Sequence, residues 1–215
     1  GFDGVELHGA HGYILCQFLS AEVNLRDDEY GGSFENRNRL LKEIIEGVRS
    51  ECRDNFMLGV RISSERFGIL LGESKALAED LMTSGNIDFL DMSLWDCFKE
   101  PQDEEFKGKT LIQHFCELER GKTRLGVAGN LRTPQAVTKA MEEGVDWIML
   151  GRAAILHHNF PILYEENDEF TPSQIPVSVD YLTKEGLSPK FIEYMSNWGF
   201  VDGSVDLMKE AIKKA

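Results

Sequence analysis

The chain has 215 residues, 42% of them hydrophobic and 28% charged, enough for a sizeable domain with a core of its own. A net charge of −14 and a pI near 4.8 argue against a nucleic-acid backbone or an anionic membrane surface as partner. No apolar run approaches the about 20 residues of a membrane span, and no basic–apolar–small signal-peptide pattern is present. The cysteines Cys16, Cys52, Cys97 and Cys116 are scattered without CxxC or metal-ligand spacing, which reads as reduced thiols of a cytoplasmic protein.

In chain order, the first element is a strand, "FDGVELH" at 2–8, entered directly from Gly1 and followed by "GAHGY". An opening on Gly already inside a strand leads us to expect further chain upstream. The segment 33–52 places Leu40, Leu41, Ile44, Ile45 and Val48 on one stripe with charges opposite, as an amphipathic helix does. Strands follow at 56–63, "FMLGVRIS", and 87–94, "IDFLDMSL", with a helix at 74–85 between them. The next pair is "RLGVAGN" at 124–130 and "VDWIMLGR" at 145–152, separated by a helix at 133–144. That helix carries Thr133 as N-cap, Pro134 at its first position and Gly144 past its end. From about 165 the chain is looser and Pro-bearing, then helical again at 189–198.

Short Val-, Ile-, Leu- and Phe-rich runs are strands buried on both faces. Their alternation with helices predicts an α/β fold with a parallel sheet. No GxGxxG turn follows the first strand, so the dinucleotide fingerprint of a doubly wound sheet is absent. Instead, His8, Arg61 with Ser63, Ser93, Gly129–Asn130 and Gly151–Arg152 sit at the carboxyl ends of different strands. A TIM-type (β/α)8 barrel places its active site there.

The glycines of "VAGN" and "LGR" let backbone amides approach an anion, and Arg152 adds a forked donor. Either tripeptide alone could be a plain turn; two in consecutive units favour a phosphate site. Arg61 lies inside an apolar strand, where a guanidinium is costly unless it meets negative charge from a structural carboxylate or an anionic ligand. His8 and His11 could be structural, or ligate a metal for which no third ligand is suitably spaced. They could also give two N–H donors to one carbonyl oxygen, with the Tyr13 phenol as general acid.

These residues resemble the old yellow enzyme family, the FMN-dependent ene reductases and NADH:flavin oxidoreductases. The likeness lies in HGAHGY (8–13), then QFLS, N-x-R, D-E-Y-G-G-S and E-N-R up to Arg37, with GVRIS, VAGN and LGR downstream. It covers about residues 1–165 and implies a partial TIM barrel, about strands four to eight, followed by a C-terminal helical extension over 166–215. The resemblance implies that His8 and His11 hold the oxygen of an activated alkene's carbonyl, and that Tyr13 donates the proton. Arg61 then lies beside the flavin N1/C2 edge, while Gly129, Asn130, Gly151 and Arg152 cradle the FMN phosphate. NADH or NADPH is the reductant, a small molecule the substrate, and no metal is required. The usual S-P-L-S-N and R-T-D appear here as Ser20–Asn24 and Arg26–Asp28, and no cysteine cluster marks an iron–sulfur branch. The resemblance also implies that the first three strands come from elsewhere, an N-terminal half-barrel or an oligomeric partner. The alternative is a truncated, non-catalytic fragment with weak flavin or phosphate binding.

Overall fold

A computed structural model of the chain describes residues 1–202; the part of the expected extension beyond them lies outside the described residues. Five parallel strands form one sheet in the order β1 (Gly4–Gly9), β2 (Met57–Ser63), β3 (Phe89–Ser93), β4 (Arg124–Ala128) and β5 (Trp147–Ile148). Sequential order in a parallel sheet is that of a barrel wall. The principal connections carry α2 (Phe34–Glu51), α3 (Leu71–Thr83), α4 (Leu111–Cys116) and α5 (Pro134–Glu142), and α1 (Ile14–Leu19) follows β1 directly.

The two faces of the sheet differ because side chains alternate along each strand. Leu58, Val60 and Ile62 of β2, Leu90 and Met92 of β3, and Leu125 and Val127 of β4 are buried on the helix side. Leu41 and Ile45 of α2 and Leu77, Ala78 and Leu81 of α3 are buried with them. Each of these Val, Leu, Ile and Met side chains contributes about 1.5–3 kcal/mol relative to exposure. Of the sequence-marked α2 stripe, Leu41 and Ile45 are buried and Leu40, Ile44 and Val48 are partly so.

The opposite face carries Glu6 and His8, Gly59 and Arg61, Phe89, Asp91 and Ser93, Gly126, and Trp147. Register places His8 beside Arg61, Arg61 beside Asp91, and Gly126 beside Asp91 and Trp147. The glycines are spacers here. A Cβ on Gly59 would lie 2.0 Å from the Phe89 ring, and one on Gly126 only 2.2 Å from the Trp147 ring. Those two rings meet edge to face with centroids 5.5 Å apart. With Glu6 and Asp91 they line a cavity of about 1050 Å³.

Helix starts follow their local chemistry. Ser33 Oγ accepts the Asn36 amide at 3.2 Å to cap α2. Ser33→Ala will cost about 1 kcal/mol, read as a lowered urea midpoint with unchanged slope. The anticipated cap at Thr133 is present, its Oγ1 accepting the Ala136 amide at 3.2 Å ahead of Pro134.

The chain divides into two compact units, one comprising 1–131 and 138–149, the other 132–137 and 150 onward. The second holds α6 (Arg152–Leu156), α7 (Phe160–Glu166), α8 (Val179–Lys184) and α9 (Pro189–Ser196). Its core is Leu156, Leu182, Ile192, Met195, Phe200 and Val201. Val177 donates to Phe200 O at 2.7 Å and accepts from the Asp202 amide at 3.2 Å, tying the last described residues down.

Candidate active site

Immediately after β1 the chain turns through Ala10–Tyr13. The Tyr13 amide donates to Ala10 O at 3.3 Å, and His11 and Gly12 adopt φ of 61° and 74°. For a histidine that left-handed conformation costs on the order of 1 kcal/mol or more and must be imposed by its surroundings. The surroundings are visible: the His11 amide donates to Ser63 Oγ at 3.1 Å, and Gln17 Nε2 donates to Gly12 O at 2.8 Å. Tyr13 is the N-cap residue of α1. The turn gathers three rings, with centroids 5.2 Å apart for His8 and His11 and 5.4 Å apart for His8 and Tyr13. Tyr13 is 62% exposed.

Burial first, then the Arg61 charge, holds both imidazoles below the usual histidine range; Glu6 opposes this at His8, and His8 adds to it at His11. Both rings are therefore neutral at pH 7, each with one N–H donor and one acceptor nitrogen. Arg61 is oriented by its Nε, which donates to Ser93 Oγ at 2.8 Å. The carboxylate weighed as its partner is present as Asp91, its register neighbour, yet no ion pair forms to Arg61 among the described residues. Burial, then the adjacent Glu6 carboxyl, pushes Asp91 up to about 7 against the pull of Arg61 and the Trp147 indole. Asp91 is 2% exposed and its Oδ1 has no hydrogen-bond partner. The Glu6–Asp91 pair leaves no mark in the sequence, since only strand register brings the two together.

Gly129 is required for packing, because a Cβ there would lie 2.7 Å from the Cys97 amide nitrogen. Asn130 has φ 56° and its Nδ2 donates to Asp96 Oδ2 at 3.1 Å. Gly151 precedes α6 with open space where its Cβ would be. Arg152 is exposed, and burial of part of its guanidinium together with the Arg132 charge lowers its pKa.

Much of the block between Asn24 and Arg37 is bracing. Asn24 Nδ2 donates to Phe18 O and Tyr30 O, both at 2.7 Å. Arg37, 6% exposed, donates from Nε to Leu19 O at 3.3 Å and from its other nitrogens to Gly32 O and the Glu73 carboxylate. These bonds fix the end of α1 to α2 and so set where Tyr13 stands. Among the described residues no group of three His, Cys, Asp or Glu is placed to hold a metal, and no helix is long and apolar enough to cross a membrane.

Parallel strands with polar side chains gathered at their carboxyl ends define the class, a portion of a (β/α)8 barrel. Residues 1–169 match the profile of the NADH:flavin oxidoreductase / NADH oxidase family, and the chain belongs to that family. The NADH-dependent flavin oxidoreductase iccE of Talaromyces variabilis is 33% identical over 190 residues, 80% of this chain and 46% of the relative. Morphinone reductase, solved with tetrahydroNAD, superposes with a TM-score of 0.62 at 25% identity over 85% of this chain and 47% of that one. Histamine dehydrogenase from Rhizobium sp. 4-9 gives 0.61 at 29% identity, over 77% and 25%. The chain thus spans less than half the length of these relatives, and its likeness to the old yellow enzymes holds at the level of both sequence and fold.

FMN, with NADH or NADPH as reductant, is the cofactor of this family. Each unit by itself carries residues suited to it: in the second, Arg152 has no ion-pair partner among the described residues and the Gly151 backbone is open; in the first, Arg61 is oriented but not neutralised.

Proposed function

We propose that the protein, with its barrel completed, is an oxidoreductase that passes hydride from NADH or NADPH through FMN to an activated alkene conjugated to a carbonyl. The observation that carries this reading is the ring cluster of His8, His11 and Tyr13 beside an unneutralised Arg61. FMN supplies the hydride chemistry when bound. Neutral His8 and His11 present N–H donors to the acceptor's carbonyl oxygen, stabilising the negative charge that develops there. Tyr13 holds the proton destined for the carbon next to that carbonyl. Arg61 offers positive charge to the flavin's N1/C2 edge, and Gly129, Asn130, Gly151 and Arg152 serve its phosphate.

A second reading, in which the 215 residues alone hold at most a flavin or a phosphate and turn nothing over, is favoured by the open sheet face where Asp91 Oδ1 lacks a partner. Purification of the full-length or complemented protein in the presence of FMN separates these readings. The proposed oxidoreductase retains flavin absorbance and oxidises NADH or NADPH when an α,β-unsaturated ketone is added. A preparation that stays colourless in excess FMN rules the oxidoreductase out.

A further inference from the structure

We propose that Arg132 is a positioning residue of the flavin phosphate site, a second guanidinium standing behind Arg152 and making the site selective for a phosphate dianion. This inference rests on the flavin reading above. The family resemblance assigns Arg152 to the phosphate and gives Arg132 no role.

Two features of the second unit point to it. Arg132 and Arg152 line one small cavity with Ser173 and Gln174, of about 20 Å³. Within that setting the Arg132 Nε is buried and has no hydrogen-bond acceptor. A buried, unpaired guanidinium N–H is an expensive feature to keep without an anion.

The surrounding charge supports the same conclusion. Neither Arg132 nor Arg152 has an ion pair among the described residues, although both line one small cavity. The two instead act on each other, the Arg132 charge being one cause of the lowered Arg152 pKa. Like charges held together in a partly buried setting repel until a counter-charge arrives. A phosphate dianion relieves both at once; a neutral ligand relieves neither.

The cavity has room for one water but not for a phosphate. The exposed Arg152 is therefore the residue that touches the phosphate. Arg132 acts from behind, through its charge and through the orientation it imposes on Arg152.

Fluorescence titrations with FMN and with riboflavin, at low and at moderate salt, test this on the protein with its barrel completed, using the wild type, R132Q, R132K and R152A. Wild type binds FMN more tightly than riboflavin. R132Q narrows that ratio about tenfold and flattens its salt dependence while leaving riboflavin affinity unchanged, and R132K restores most of the ratio. R152A abolishes the preference. If R132Q lowers FMN and riboflavin affinity equally, or leaves a wild-type preference intact, Arg132 is structural and the inference is overturned while the flavin reading stands. If the wild type binds no flavin, or binds both equally, the flavin reading itself fails and takes this inference with it.

Discussion

In the proposed reaction, replacing Tyr13 by Phe will slow proton delivery to the acceptor by about 10²–10⁴-fold, the usual contribution of a positioned general acid, and leave reduction of the flavin by NADH or NADPH unchanged. The substitution removes one oxygen from a side chain that is 62% exposed, so little packing is lost with it. Its ring stands 5.4 Å from His8, and the backbone that places it is held by the Gln17 and Ser63 contacts, which the substitution leaves alone. Stopped-flow measurement of the two half-reactions in the holoenzyme reads the effect directly. Equal loss in both would show that Tyr13 shapes the turn and carries no proton.

The second large effect concerns stability. With its folded pKa near 7, Asp91 keeps a proton that the unfolded chain, with an aspartate pKa of about 3.9, has already lost. Between these values the native state binds more protons, so stability declines as pH rises through this window and levels off above about 7. Asp91→Asn cannot ionise and keeps a donor for Glu6. It will match the wild type near pH 4 and exceed it by roughly 2 kcal/mol at pH 8, less than the full linkage value because Glu6 and Arg61 share the charge. Urea unfolding at both pH values measures the gap. A difference that does not change with pH would mean that Asp91 is ionised throughout.

The long elements are legible in the sequence because periodicity needs length to show. The helix expected at 33–52 is Phe34–Glu51, and the strand expected at 56–63 is Met57–Ser63. Helices α1 and α4, six residues each, span less than two turns and leave no stripe to read. Strand β5 is only Trp147–Ile148, paired with Gly126 and Val127 of β4, too short for alternation to mark its ends. At the candidate site, His8, His11 and Tyr13 are legible because one turn holds all three. Asp91 and Arg132 are not: one needs the lateral register of three strands to meet Glu6 and Arg61, the other an unpaired nitrogen. Gly129 shows a second demand that a motif does not reveal, since its small size is also required by the approach of Cys97.

The left-handed conformations of His11, Arg66, Phe67, Trp95 and Asn130 all fall just beyond the carboxyl ends of β1 to β4. Glycine would relax each of them. A laboratory search for heat-tolerant variants should therefore find some of its easiest gains in this arc, and in taking them would erase side chains that include the proposed site residues His11 and Asn130. Selection for robustness and selection for chemistry compete here for the same few codons.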